Sequence, residues 1–122
     1  MSTHHPGIGT VNAIIVDCVD PGMLAAFWAE LLGLAVSDRE GNDWVDLRPI
    51  ATGGPILAFQ RVPERKQVKN RLHLDVRVED LAVATDRVRA LGGTTAGNVH
   101  HGDHPWRVMR DSEGNEFCLV TI

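Results

Sequence analysis

Cysteine is scarce in this chain. Its two cysteines, Cys18 and Cys118, stand far apart and form no Cys-x-x-Cys spacing. That pattern offers neither a zinc ribbon nor a dithiol redox pair, and both thiols are expected to be reduced, with a Cys18–Cys118 disulfide as the minor alternative. There is no long cationic stretch and the formal net charge is −4, which argues against nucleic acid as a partner. No apolar run approaches the roughly 18 residues needed to cross a bilayer. The opening MSTHHPGIGT has neither the cationic start nor the apolar core of a secretory leader. The expectation is a cytoplasmic protein with no membrane partner. Nucleophile elbow, phosphate loop and Ser-His-Asp order are all missing too, so covalent catalysis has no obvious carrier.

What is there is a globular composition: 122 residues, 43% hydrophobic and 23% charged, enough for one core and too little for two. Residues 12–19 (NAIIVDCV) are apolar and β-branched, as a buried strand should be. Asp20-Pro21 then provides an N-cap and a first-turn proline. Leu24, Phe27, Trp28 and Leu31 form the stripe of an amphipathic helix, and Gly33 ends it. Strands are expected at 34–37, 43–47 and 56–61, separated by Gly41-Asn42 and Gly53-Gly54-Pro55. The order then repeats. Residues 71–78 (RLHLDVRV) alternate with period two, Asp80 caps a helix carrying Leu81, Thr85, Val88 and Leu91, and Gly92-Gly93 stops it. Strands follow at 94–96, 106–110 and 116–122, with a turn at 111–115 before the last.

An offset of 60 residues superposes Asp20 on Asp80 and brings the two Leu-Gly stops within one residue. The pattern predicts an α+β domain of two tandem βαβββ modules, 10–61 and 71–122, joined by a linker at 62–70. A ferredoxin-like duplication is the alternative, but it has two strands per helix where three follow each helix here. A βαβββ unit leaves one sheet face bare, so two together predict a cupped mixed sheet with helices outside and a ligand cavity within.

Three stretches, VDCVDPGMLAAFWAELLGL, VPERKQVKNRLHLDVRVEDL and MRDSEGNEFCLV, resemble the vicinal-oxygen-chelate superfamily of glyoxalase, bleomycin-resistance and extradiol-dioxygenase proteins, and within it the glyoxalase-like branch. Metal-dependent members hold a divalent ion with His, Glu or Gln side chains from four strands. Carried across, those positions fall on Ala13, on Ala58 or Gln60, on His73 and on Cys118, with Glu116 two residues before Cys118 on the same face. The resemblance therefore implies a degenerate metal site in which His73 and Cys118 remain as candidate ligands, with Glu116 or Gln60 as a third. It also implies a homodimer, and leaves open whether modules pair within one chain or between two.

The residues themselves add detail. His73, Asp75 and Arg77 share one face of their strand, so His73 is a candidate general base oriented by Asp75, with Glu116 as a further acid or base. A polar stripe is also what a solvated sheet shows. Asp17 and Arg77 stand at equivalent positions and could pair across the two halves. Trp44 and Trp106 are candidate walls for a flat ligand, with Gln60 and Cys118 beside them. Lys66, Lys69, Asn70 and Arg71 form either a solvated linker or a guide for an anionic ligand. His100-His101-Gly102-Asp103-His104-Pro105-Trp106 reads as a loop or lid before it reads as a metal trap, and His4 and His5 as a disordered terminus. Two functions remain in view: a binding protein for a small molecule with no cofactor, or a lyase or isomerase acting on a small carbonyl compound, with or without a divalent metal.

Overall fold

The computed structural model describes residues 7–122; His4 and His5 lie outside the described residues. The first module runs β1 (Ala13–Cys18), α1 (Pro21–Leu32), β2 (Val36–Glu40), β3 (Trp44–Leu47) and β4 (Ile56–Arg61). The second runs β5 (Asp75–Arg77), α2 (Leu81–Ala90), β6 (Thr94–Thr95), β7 (Trp106–Arg110) and β8 (Glu116–Val120). Each module builds its own four-stranded mixed sheet, in the orders β1-β4-β3-β2 and β5-β8-β7-β6. In both, the first strand pairs in parallel with the last and the remaining pairs are antiparallel. The two sheets thus repeat the same winding, as the 60-residue offset requires.

Local chemistry explains the elements. The Asp20 and Asp80 carboxylates accept from the backbone N–H groups of Met23 and Val83, three residues on in each case. Gly33 takes the left-handed conformation at φ 66° that ends α1. Gly93 is needed for closeness instead, because a Cβ there would stand 2.6 Å from Val88 Cγ1 and 2.8 Å from the Arg110 carbonyl oxygen. The stripe of α1 buries Leu24, Phe27 and Trp28, with Leu31 half-buried. These lie against Val45, Leu47, Leu57 and Phe59, the helix-facing residues of the first sheet.

Two expectations shift. The second strand begins at Val36 rather than at residue 34, with an irregularity between Val36 and Asp38. The alternating segment 71–78 pairs only from Asp75, opposite Cys118, to Arg77. Ahead of that register only the Leu74 carbonyl is engaged, by the Cys118 N–H, and Leu72 is 67% exposed rather than turned to the helices.

Among the described residues no ladder joins the two sheets; side chains do. Trp28 and Phe27 of α1 meet Phe117 of β8 edge-on, with centroids 4.9 and 6.2 Å apart. Trp28 Nε1 also donates to Asp111 Oδ2 at 3.0 Å. Asp111 is 3% exposed, and it accepts as well from the Glu113 and Asn115 backbone N–H groups and from the Asn115 amide. Two residues on, Glu113 accepts from the backbone N–H groups of Val19 and Asp20, both at 2.8 Å. The β7–β8 turn therefore clamps the β1–α1 junction of the other module.

Trp28→Phe keeps the aromatic packing and removes one donor from a buried carboxylate. A loss of about 1–3 kcal/mol is expected, read as a lowered urea midpoint with an unchanged slope. An unchanged midpoint would show that the bond does not hold the halves.

Candidate functional site

Sheet register decides which side chains share the face turned away from the helices. In the first module Asp17, Gln60 and Trp44 lie in one cross-strand row, with Ile15, Ala58 and Asp46 in the next. In the second, Arg77, Val120 and Trp106 form the equivalent row, then Asp75, Cys118 and Val108, then Glu116 and Arg110. Trp44 and Trp106 thus occupy matching places in the two halves. Trp44 Nε1 donates to Asp46 Oδ1 at 2.5 Å, and Trp106 stacks on His100, with centroids 3.9 Å apart and planes 6° from parallel.

His73, Asp75 and Cys118 come together on the second face. His73 Nε2 lies 3.3 Å from Asp75 Oδ1, and one ligand atom from each of the three lies within 4.8 Å of the others. His73 and Asp75 are about half exposed, whereas Cys118 is buried. Burial, followed by the charge and hydrogen bond of Asp75, pushes the Cys118 thiol above its ordinary pKa. Cys18 is free as well; burial and then Glu113 push its pKa up to about 12. An imidazole, a carboxylate and a thiol match the donor number of a catalytic zinc site. Asp75, which the two-residue spacing already puts on the His73 face as its orienting group, is here also a third candidate donor that the family positions do not include.

Glu116 stands apart from that trio. It is 8% exposed and lies 2.9 Å from Lys66 Nζ. It also accepts from the Asn70 backbone N–H, while its own carbonyl accepts from Asn70 Nδ2, both at 3.0 Å. Burial works to raise its pKa, but the Lys66 bond, the Asn70 N–H and the charges of Lys66 and Lys69 outweigh it, so the net shift is downward. Glu116 straps the linker to the second sheet.

Asp17 and Arg77 do not pair: no ion pair between them falls within 4.0 Å among the described residues. With no ladder between β1 and β5, equivalent positions are not cross-strand neighbours. Asp17 lines a cavity of about 420 Å³ at the seam, with Ile15 on one side, Leu72 and His73 on the other, and Trp28, Phe117 and Glu116 beyond. Arg77 lines a separate cavity of about 340 Å³ between α1 and α2. Trp44 and Gln60 line another of about 450 Å³ beside Pro63. The expected ligand residues are therefore spread over several hollows rather than one. In the histidine-rich loop, His104 Nδ1 approaches the Thr121 carbonyl at 3.3 Å, and the described residues form no metal-capable group there.

Residues 13–120 match the family model of the glyoxalase-like domain. Among solved structures, a glyoxalase/bleomycin resistance protein/dioxygenase family enzyme from Burkholderia phytofirmans PsJN is 17% identical, with a TM-score of 0.71 over 93% of this chain and 99% of that one. The fosfomycin resistance protein FosX from Mesorhizobium loti is 14% identical, with a TM-score of 0.73 over 95% and 94%. A glyoxalase-related enzyme from Fulvimarina pelagi is 17% identical, also at 0.73, over 94% and 89%. No curated protein matches. No helix among the described residues is long and apolar enough to cross a membrane.

The strap has a pH signature. Because the Glu116 pKa is depressed in the folded state, its contribution is present above the ordinary glutamate pKa and is lost as pH falls through the depressed value. Glu116→Gln is expected to cost about 1 kcal/mol at neutral pH. In urea melts across pH, that gap should close on acidification; a gap independent of pH would show that the carboxylate charge is not what holds the linker.

Proposed function

The chain belongs to the glyoxalase-like domain family of the vicinal-oxygen-chelate superfamily, and on that premise we propose that it binds a small molecule in the seam between its modules, over a degenerate metal site. The observation that carries this reading is the seam cavity of about 420 Å³. Its size is that of a small-molecule site, and it combines apolar walls with a few convergent polar groups. Ile15, 46% exposed, and Leu72 offer an apolar surface, while Asp17 and His73 offer polar contacts. The metal positions support binding over chemistry. Ala13 offers no donor, and Glu116 is tied to Lys66 and Asn70.

The test is a calorimetric and thermal-shift screen of flat aromatic compounds against untagged protein. Saturable binding is expected to raise the melting temperature; ligand at a hundred times Kd stabilises by about 2.7 kcal/mol. Ile15→Trp, which projects bulk into the cavity, should weaken the hits by about tenfold or more. Hits that ignore Ile15→Trp, or no hits at all, reject the seam as the binding site.

The trio favours a second reading, a lyase or isomerase acting on a small carbonyl compound. A divalent ion held by His73, Asp75 and Cys118 would supply a positive charge for an oxygen that becomes anionic. Without one, His73 would take a proton from the carbon next to the carbonyl, with Asp75 holding the ring through Nε2 and leaving Nδ1 as the other nitrogen. Metal analysis by mass spectrometry separates the readings. The binding reading expects less than one divalent ion per chain in the untagged protein. One ion per chain that disappears in His73→Ala would replace that reading with the metal-dependent one.

A further inference from the structure

The linker and the second sheet enclose a hollow of about 590 Å³, which shares Glu116 with the seam cavity. Its charged lining consists of Lys66, Lys69, Arg110 and His100 against Glu113 and Glu116. Both acids are already engaged: Glu113 by the backbone N–H groups of Val19 and Asp20, Glu116 by Lys66 and Asn70. Lys66 is engaged in turn by Glu116. Lys69 and Arg110 have no ion-pair partner within 4.0 Å among the described residues. Arg110 stands on β7 directly opposite Glu116 of β8, and the charge of Lys69 is felt at both Glu116 and Cys118. The two free cations therefore flank the same stretch of sheet. Ala96 and Val108 give the hollow an apolar part. The His100 ring is fixed flat against Trp106, and reciprocal backbone bonds of 2.8 and 3.1 Å between the same two residues hold the loop in place.

We propose that this hollow is an oxyanion site, in which Lys69 and Arg110 hold the carboxylate or phosphate of a ligand whose flat apolar body lies along Val108 and His100. The hollow meets the seam cavity at Glu116, so the proposal rests on the binding reading above, extends it to this neighbouring site and names the class of ligand held here. Arginine presents a fork that matches a carboxylate or phosphate in two parallel bonds, and lysine adds a point charge. A neutral ligand would leave both cations unmatched.

Calorimetry with 2-naphthoate, 2-naphthyl phosphate and neutral 2-naphthamide tests the proposal on wild-type protein, Lys69→Gln and Arg110→Gln. The two anions should bind wild type at least about tenfold more tightly than the amide. Each substitution should cost the anions about tenfold and leave the amide unchanged. Anion affinity should also fall between about 0.1 M and 1 M salt, as the Debye length shrinks from about 10 Å to about 3 Å. If the amide binds as tightly as the anions, or neither substitution moves anion affinity, the oxyanion site is wrong while the binding reading stands. If wild type binds none of the three probes, the oxyanion site is wrong, while the seam reading stands or falls by its own screen with Ile15→Trp. The relative strength of naphthoate and naphthyl phosphate tells whether the site prefers a carboxylate or a phosphate.

Discussion

The buried carboxylate of Asp111 is the constraint on which the rest of the molecule depends. Among the described residues the two sheets share no backbone ladder, so side chains must fix one half against the other. Asp111 does so by accepting the Trp28 indole N–H from the other module while Glu113 and Asn115 satisfy its remaining lone pairs. A buried charge is tolerable only when hydrogen bonds replace its water, and this one spends those bonds on folding its own turn and anchoring α1. Bonds to a charged group contribute about 1.5–3 kcal/mol each, and edge-on aromatic pairs such as Trp28 with Phe117 about 0.5–1.5 more. Since Glu113 grips the end of β1 as well, the turn sets the width of the seam and so the shape of the cavity between β1 and the 70–74 segment.

Elements fixed by local chemistry were legible in the sequence. The caps at Asp20 and Asp80, the buried stripe of α1, and the strands Ile56–Arg61 and Trp106–Arg110 depend on neighbours within a few residues and fall where the pattern puts them. Residues 71–74 alternate as cleanly as any strand, yet alternation cannot say where a partner begins, and β8 offers register only from Asp75 onward. The grouping of His73 with Cys118 followed from the family pattern, and Asp75 joins them through strand register. In the sequence the Asp111–Asn115 turn reads as punctuation, although its two acids are a sign that N–H donors wait elsewhere. No sequence spacing could show that Trp28 and the Val19-Asp20 junction supply them, because the separations are 83, 94 and 93 residues.

The duplication has diverged most on the faces turned away from the helices. Asp17, Asp38, Glu40 and Asp46 make the first face acidic by register, whereas on the second Arg77 and Arg110 stand beside Asp75, Glu116 and His73 and balance the acids. Equivalent rows keep their tryptophans, Trp44 and Trp106, and change the charge beside them, Asp17 against Arg77. A common scaffold with one acidic face and one of balanced charge makes the halves unequal partners for any one ligand, and the first face is the one that repels an anion.

Glu116 shows how an acid beside a family metal position can be spent on architecture. A general base must be free to gain a proton near neutral pH, yet Lys66 and Asn70 hold this carboxylate in its charged form. The same bonds draw the 66–70 segment onto the sheet, which brings Lys69 and Arg110 into the lining of one hollow between linker and strands. A carboxylate left free for catalysis would release that segment, and the cationic wall would go with it. On the binding reading proposed above, the acid held in this strap is thus the one that assembles the cationic wall, which is why strap and chemistry are alternatives at this position.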